Sequence, residues 1–348
     1  MRVIEQPARE FWSGWHAGFG STGLRVIEQP ARSVYKGMKI EKGKSFRGMR
    51  IKRAVKGLSP KIFLATLLAM HGFFLTGTAG KVGTGFGEEI YFFCGAAVRV
   101  PMDEIIPNYE KESGNKVNVI YSGSGTLLAQ MELSKRGDVY LCGSPDYVII
   151  GEKKGLLIPG SEKIISYLVP AIIVPKGNPK NIRKLEDLGR PDVRVGMGNP
   201  EAVCLGLYGL EILDKNNLME KVLPQVVVFA KSCEDTATLA VLNKVDAILG
   251  WDVFESWNPD RVRWIKINPA QIGRLSYIPV AVPVFVRNRR LAEEFIDYVI
   301  NNPESKKIWR KYGHIRDMKK AKKYAPRASV GGVYEIPSRY WDILKKAK

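Results

Sequence analysis

Three short apolar runs, each followed by small residues and then by a helical pattern, constrain the fold of this chain most. The runs cover residues 89–93, 117–121 and 138–141, and the turns that follow them cover residues 94–97, 122–126 and 142–145. Strands that alternate with helices predict a parallel sheet with helices on both faces. Ligands bind at the carboxyl ends of such strands, which is where all three turns lie.

The middle turn, residues 122–126, has the composition of an anion-binding helix start. The first amides of a helix have no intrahelical partner, and the helix dipole makes that end positive. Glycines allow a ligand to approach the backbone, and Ser124 and Thr126 add hydroxyl donors. Small residues before a helix are more often an ordinary cap, so the functional interpretation depends on the recurrence of such turns.

Residues 171–275 have a strand and helix alternation of their own, which predicts a second domain inserted into the first. Two extended runs, residues 168–175 and 276–283, flank this block. We therefore expect an α/β fold of two lobes joined by two crossing strands, which can close on a small ligand by hinge motion. The predicted boundaries are residues 88–170 and 276–315 for lobe 1, 171–275 for lobe 2, and 316–348 for a C-terminal extension without an assigned role.

The sequence before residue 80 has the features of a leader and a secretory signal. Residues 2–9 recur letter for letter as residues 25–32, and residues 1–48 lack hydrophobic periodicity, which indicates a non-native or disordered leader. Basic residues, an apolar run over 62–75 and small residues up to Ala79 predict a signal peptide over 49–79. An uncleaved membrane anchor is the alternative. No cysteine directly follows the apolar run, so a lipoprotein anchor is not supported. We expect a periplasmic or cell-surface protein.

The net charge of +19 is concentrated at the two ends of the chain. Residues 1–80 hold 14 Lys and Arg against 4 Asp and Glu, which accounts for +10 of the total. Much of the remainder lies in residues 306–327 and in the C-terminal lysines. A charge run of this kind is usually a solvated face, and no aromatic-studded basic motif accompanies it. We therefore expect no nucleic-acid partner.

The order and spacing of motifs between residues 88 and 312 resemble the periplasmic molybdate and tungstate binding proteins of ABC transporters, which have the type II solute-binding protein fold. The matching stretches are residues 93–97, 122–127, 137–140, 174–179 and 198–201, with looser matches at 234–236 and 250–252. The resemblance implies a tetrahedral oxyanion held between the lobes, no enzymatic activity, no metal or organic cofactor, and a membrane permease as partner. We also expect a monomer.

The family's functional positions transfer to this chain residue by residue. The resemblance makes Ser124 a hydroxyl donor, Leu205 an amide donor and Thr236 a second amide donor to the oxyanion. The full ligand-binding set that we predict is Ala97, Arg99, Ser124, Gly125, Thr126, Ser144, Cys204, Leu205 and Thr236.

Three positions depart from the family pattern. Ala97 stands where many members have a second serine, and Leu249 lies near the place of a missing tyrosine. Val203 stands where the tungstate-binding subgroup has an aspartate. Arg99 is the candidate to supply a full positive charge in place of the missing groups, and a surface arginine at a helix start is the alternative. The resemblance therefore supports the class of oxyanion better than a particular anion.

The four cysteines each lie at a predicted turn between a strand and a helix. No C-x-x-C pair is present, so the sequence gives no zinc-site pattern. Disulfides between Cys94 and Cys142 and between Cys204 and Cys233 are compatible with an exported protein, but we favour buried free thiols. Beyond the apolar run the chain has a single histidine, His314, so it has no histidine cluster for metal binding or acid–base chemistry.

Two other functions stay open on the sequence alone. A receptor for sulfate, phosphate or a small organic acid would need the same kind of cleft. A transferase-type enzyme can also place an anion between two lobes. The export signal, the absence of a nucleophile paired with a base and the absence of a cofactor lysine motif argue against the enzyme.

Overall fold

The computed structural model describes residues 87–341 and residue 344, which fall within one compact unit, Lys81–Lys348. The leader and the signal peptide predicted for residues 1–48 and 49–79 lie outside the described residues. Within the described part, two β-sheets form, and helices flank each of them.

Eleven strands and ten α-helices follow one another along the described chain. The strands are β1 (Glu89–Gly95), β2 (Lys116–Ser122), β3 (Val139–Leu141), β4 (Lys163–Leu168), β5 (Pro170–Pro175), β6 (Val195–Gly198), β7 (Val226–Ala230), β8 (Ala247–Trp251), β9 (Val262–Lys266), β10 (Arg274–Ala281) and β11 (Ser329–Val330). The helices are α1 (Arg99–Ser113), α2 (Ser124–Ser134), α3 (Pro145–Lys153), α4 (Cys204–Lys215), α5 (Met219–Val222), α6 (Cys233–Val241), α7 (Phe254–Trp257), α8 (Arg289–Asn301), α9 (Pro303–Lys311) and α10 (Met318–Lys322).

The first sheet has the order β11-β10-β3-β1-β2, and β4 also pairs with β10. Strand β1 lies parallel to both β2 and β3, with Phe93 opposite Ile120 and Tyr140. Strand β10 is antiparallel to β3 and β4. Because β1, β2 and β3 are parallel, their carboxyl ends and the three turns noted above meet at one edge. We call this sheet with its helices lobe 1.

The second sheet has the order β7-β6-β8-β5-β9, and with its helices it forms lobe 2. Strand β6 is parallel to β7 and β8, whereas β5 is antiparallel to β8 and β9. The carboxyl ends of β6, β7 and β8 lead into the turns before α4 and α6 and into the turn after Trp251. Strands β4, β9 and β11 were not predicted from the sequence, since the predicted extended run begins only at the last residue of β4.

The chain passes between the two sheets twice. The extended run at 168–175 is divided at Val169, because β4 ends at Leu168 in lobe 1 and β5 begins at Pro170 in lobe 2. The return passage runs from β9, in the second sheet, to β10, which begins at Arg274. With one residue between β4 and β5, a change in the angle between the lobes has to be absorbed over a very short segment.

Apolar residues at helical spacing form the buried face of α1 in lobe 1. Met102, Ile105, Ile106 and Tyr109 of α1 are all buried, as the i, i+3, i+4, i+7 pattern predicts. Phe295 of α8 packs edge-on against Tyr109, with ring centroids 4.8 Å apart. The apolar cluster continues across the junction between the lobes, where Val203, Cys204 and Tyr208 belong to it. Apolar contact therefore helps to hold the lobes together.

Asp252 forms two hydrogen bonds with Val169, the residue at the first passage between the lobes. Its Oδ1 accepts a hydrogen bond from Val169 N–H at 3.0 Å, and its own N–H donates to Val169 O at 3.0 Å. Burial raises the pKa of Asp252 to about 7, although the hydrogen bonds from backbone amides oppose this shift.

Replacing Asp252 by asparagine is expected to remove a pH dependence of stability. Between about pH 4 and pH 7 the folded protein keeps a proton on Asp252 that the unfolded chain releases, so the free energy of unfolding falls as the pH rises. Asparagine still offers an acceptor to Val169 N–H but cannot ionise. Denaturant unfolding at about pH 5 and about pH 8 should show the variant gaining stability relative to the parent at the higher pH.

A second buried group, His314, also makes stability depend on pH, but equally in both proteins. Burial lowers the pKa of His314 to about 3, so its titration makes the folded state less stable as the pH falls. Both proteins share this effect, and it cancels in the difference between them. The same difference in unfolding free energy at both pH values would contradict the role given to Asp252.

Candidate functional site

Four helices begin at the junction of the lobes without a cap from their own N-cap side chain. The N-cap residues Val98, Gly123, Ser144 and Val203 precede α1, α2, α3 and α4, and the side chain of each makes no capping hydrogen bond. Helix α6 differs, because Ser232 Oγ accepts a hydrogen bond from the amide of its first turn. The uncapped amides are donors that a bound anion can use.

The Gly-Ser turn of lobe 1 contacts the backbone of lobe 2 directly. Gly125 N–H donates to Ala202 O at 2.9 Å. A Cβ atom on Gly123 would lie 2.6 Å from Ala202 O and 2.8 Å from Lys231 O, which is too close for any side chain. Glycine at position 123 therefore permits this approach, and the described arrangement is the one in which the lobes are closed.

Ser124 lies at the centre of this contact and is almost completely buried. Its Oγ accepts a hydrogen bond from Gly143 N–H at 3.2 Å, and its carbonyl accepts one from Tyr140 Oη at 2.9 Å. Because Ser124 Oγ acts as an acceptor toward Gly143, its own proton stays available as a donor. A Cβ atom on Gly143 would lie 2.5 Å from Cys204 Sγ, so the two lobes are also in contact here.

Ser144 is a buried donor without a partner. Its side chain has no solvent exposure, and its Oγ has no hydrogen-bond partner within the described part of the chain. An unpaired buried hydroxyl costs about 1–3 kcal/mol, and an acceptor supplied by a ligand would remove this cost. The carbonyl of Ser144 accepts a hydrogen bond from the Cys142 thiol at 3.1 Å.

Arg99 bridges the lobes by contacting a carboxylate. Its Nη1 lies 2.9 Å from Glu234 Oε2, at the start of α6, and its Nε lies 3.5 Å from Asp103. The guanidinium also lies over the Tyr121 ring, and the Arg99 side chain is 44% exposed. The contribution of Arg99 to anion binding stays a prediction, because in this arrangement Glu234 and Asp103 already balance its charge.

The three predicted amide donors, Ala97, Leu205 and Thr236, have different surroundings. Ala97 is buried, and its Cβ lies near Gly143. Leu205 is buried in the first turn of α4. Both donors of Thr236 are used within α6, since its N–H and its Oγ1 contact Ser232 O at 3.0 Å and 2.7 Å.

Thr126 and Gly125 complete the predicted set on the lobe 1 side. Thr126 lies in the first turn of α2 and is partly exposed. The amide of Gly125 is already bonded to Ala202 O, as described above. The structure thus places Ser124 and Gly125 of lobe 1 at the contact with Ala202 and Cys204 of lobe 2. The roles of all nine residues in anion binding stay predictions.

All four cysteines are buried free thiols, as the sequence analysis favoured. Burial, reinforced by the neighbouring Cys204, raises the pKa of the Cys142 thiol. Contact with Cys204 together with burial raises the pKa of Cys233. The Cys142 and Cys233 thiols therefore remain protonated at neutral pH and are weak nucleophiles.

Several residues at the junction were not singled out from the sequence. Gly123 and Gly143 lay within turns that the analysis recognised, but their contacts with the other lobe were not foreseen. Tyr140 and Arg274 gave no local signal, because a buried strand residue and a strand-start arginine are common. Among the described residues, no group of three or more His, Cys, Asp or Glu side chains is arranged to hold a metal ion. The helices described here are also too short or too polar to cross a membrane.

Comparison with protein families identifies a match over most of the described chain. Residues 90–314 match the family described as bacterial extracellular solute-binding protein. A binding protein of Haemophilus influenzae is 30% identical over 159 residues, which cover 46% of this chain and 64% of that protein. The molybdate-binding protein ModA of the same organism is 24% identical over 264 residues, which cover 73% of this chain and 96% of that protein.

Solved structures share the two-lobed fold at low sequence identity. The periplasmic molybdate-binding protein of Azotobacter vinelandii has a TM-score of 0.58 and 14% identity, and the match covers 66% of this chain and 100% of that one. The sulfate-binding protein SubI of Mycobacterium tuberculosis has a TM-score of 0.57 and 17% identity, with 70% and 94% coverage. The expected type II α/β fold of two lobes is confirmed.

Proposed function

Because the chain belongs to the family of bacterial extracellular solute-binding proteins, we propose that it captures a tetrahedral oxyanion, with molybdate or tungstate first, for the permease of an ABC transporter. The family consists of binding proteins, and the relatives named above bind solutes. The relatives nevertheless include both molybdate and sulfate binders, so the family supports the class of ligand and leaves the individual anion to experiment.

The observation that carries this proposal is the convergence of uncapped helix starts on the junction of the lobes. At the starts of α1, α2 and α3 of lobe 1 and of α4 of lobe 2, no N-cap side chain accepts a hydrogen bond from the first-turn amides. The Gly125 amide of α2 donates to Ala202 O in the closed arrangement. The fully buried Ser144 hydroxyl adds a donor that has no partner among the described residues. Such a set suits a guest that offers acceptors on all sides.

The electrostatics of the junction suit an anion that is held without a dedicated cation. Moving a dianion out of water costs several kcal/mol or more unless donors compensate for it. Charge-assisted hydrogen bonds from amides and hydroxyls are about twice as strong as neutral ones and have fixed geometry. The dipoles of several helices add partial positive charge at the same place. Arg99 would contribute a full charge only if it exchanged Glu234 for the ligand.

Sulfate is the second candidate, because a sulfate-binding protein has the same fold with a comparable TM-score. Sulfate has shorter bonds to oxygen than molybdate or tungstate, so the size of the closed cleft would distinguish them. A thermal-shift titration of the full chain with molybdate, tungstate, sulfate and phosphate tests the proposal. Tight binding raises the melting temperature by mass action. If no tetrahedral oxyanion changes the melting temperature, the proposed function is wrong.

Replacing Ser124 by alanine is expected to weaken the affinity for the bound oxyanion by about ten- to a hundredfold. A hydrogen bond to a charged group contributes about 1.5–3 kcal/mol, and the variant also leaves Gly143 N–H without its acceptor. Titration calorimetry with the anion that stabilises the parent protein measures the loss.

Ser134→Ala is the matched control, because Ser134 is the exposed last residue of the same helix. Its affinity should equal that of the parent protein. An unchanged affinity for Ser124→Ala as well would remove the Gly-Ser turn from the ligand site.

A further inference from the structure

The C-terminal segment lies beyond the part of the chain that matches the family, which ends at residue 314. We define residues 316–341 as the interlobe strap. The strap covers lobe 2, where Ala321, Ala325 and Ala328 are buried in its apolar core. Strand β11 of the strap then pairs with the start of β10, next to the second passage between the lobes.

We propose that the interlobe strap holds the two lobes in their closed arrangement and so slows the release of ligand. The part of this inference that concerns ligand release rests on the proposed function, whereas the part that concerns lobe closure does not. The strap contacts two carboxylates, Asp146 in lobe 1 and Asp214 in lobe 2.

The contact with lobe 2 is made by three polar groups of the strap that converge on one carboxylate. Tyr334 Oη donates to Asp214 Oδ2 at 3.1 Å, and Tyr340 Oη donates to Asp214 Oδ1 at 2.8 Å. Arg339 Nη2 lies 3.0 Å from the same Oδ1. Asp214 belongs to α4, so the strap is fastened to the helix whose first residues face lobe 1.

The contact with lobe 1 is made by the backbone of the same part of the strap. Tyr334 N–H donates to Asp146 Oδ1 at 3.2 Å, and Asp146 belongs to α3 of lobe 1. Tyr334 thus contacts α3 through its backbone and α4 through its side chain. Moving these helices apart would break one of the two contacts.

The buried side chain of Arg274 also links lobe 1 to lobe 2. Arg274 Nη1 lies 3.0 Å from both oxygens of Asp146, and its Nε lies 2.7 Å from Glu211 Oε2 of α4. The carbonyl of Gly332, in the strap, accepts a further hydrogen bond from Nη1 at 2.5 Å. The Arg274 and Asp146 side chains are only 4% and 1% exposed.

Opening the lobes would therefore separate buried charges that lie on different helices. Asp146 of lobe 1 and Glu211 of lobe 2 share one guanidinium, and the strap supplies the remaining backbone partners. Losing one partner of a buried charge is costly because the remaining charge stays out of water. These buried contacts thus stabilise the closed arrangement without any bond from a ligand.

The test uses the full chain with Asp214→Ala, which removes the acceptor for three strap contacts and leaves the apolar core of lobe 2 in place. The matched control is Asp192→Ala, which removes an exposed carboxylate of lobe 2 that pairs with Arg190 and Lys180. Tyr334→Phe removes one of the three contacts and provides a milder variant if Asp214→Ala does not fold.

Small-angle X-ray scattering without ligand measures the radius of gyration, which reports lobe closure. Stopped-flow fluorescence measures the rate at which molybdate dissociates. We expect Asp214→Ala to have a larger radius of gyration than the parent and to release molybdate about tenfold faster, with Tyr334→Phe between them and Asp192→Ala unchanged. A radius of gyration for Asp214→Ala equal to that of Asp192→Ala would overturn the proposal. Failure of the parent to bind any oxyanion would refute the proposed function alone, because the scattering comparison needs no ligand.

Discussion

Replacing Gly123 by alanine is expected to weaken oxyanion binding by about ten- to a hundredfold while leaving each lobe folded. The backbone angles of Gly123, φ −65° and ψ 145°, are open to alanine, so the change costs little within lobe 1. In the closed arrangement, however, the added methyl group would lie 2.6 Å from Ala202 O and 2.8 Å from Lys231 O. Both obstacles are backbone atoms and cannot rotate away, so the lobes have to stay apart.

Calorimetric titration of the full chain measures this loss, and far-ultraviolet circular dichroism checks the fold. Gly177→Ala is the opposite control, because Gly177 has φ +85° with open space around it. That variant should lose about 1 kcal/mol of stability through backbone strain and keep its affinity. If Gly123→Ala binds the anion as tightly as the parent, the closed contact described here is not the binding arrangement.

Replacing Arg274 by methionine is expected to lower the free energy of unfolding by about 3–5 kcal/mol. The variant leaves Asp146 and Glu211 buried with their shared partner gone, and Lys215 compensates only Glu211, at 2.6 Å. Methionine fills much of the same volume, so the loss should come from uncompensated charge and not from a cavity. Denaturant unfolding followed by fluorescence measures the change.

Two further variants make this result specific. Arg290→Met removes an arginine that is 77% exposed and pairs only with Glu294 on its own helix, and it should change stability by less than about 1 kcal/mol. Combining Arg274→Met with Asp146→Asn should recover part of the loss, because one unpaired carboxylate is then neutral. A loss below about 1 kcal/mol for Arg274→Met would show that water reaches these carboxylates.

The local structure of this protein was largely predictable from its sequence. The apolar runs at 89–93, 117–121 and 138–141 predicted β1, β2 and β3, and the small residues after β2 predicted the start of α2. These features are predictable because helical periodicity and turn chemistry depend on residues close together in the chain. The short strand β9 was missed, since the charged residues Arg263 and Lys266 interrupt its apolar pattern.

The candidate site was predictable only in part. The sequence shows which residues precede a helix but not which residues they contact in the folded protein. Ser124 and Ser144 were predicted as ligand donors from their turns. The pairing of Arg99 with Glu234 joins residues 135 positions apart, and nothing near Arg99 in the sequence indicates it. Thr236 was predicted as a donor, but its two donor groups are used by Ser232 O four residues earlier.

The sequence by itself determined the alternation of strands and helices, the family to which the chain belongs and the turns from which a ligand site can be built. Local propensity and patterning are sufficient for these features. Only the tertiary structure decided that Gly123 meets the backbone of lobe 2, that Arg274 joins two carboxylates from different lobes and that the C-terminal segment connects α3 with α4. These contacts join residues far apart in the chain, and their energies depend on burial that exists only after the lobes have packed.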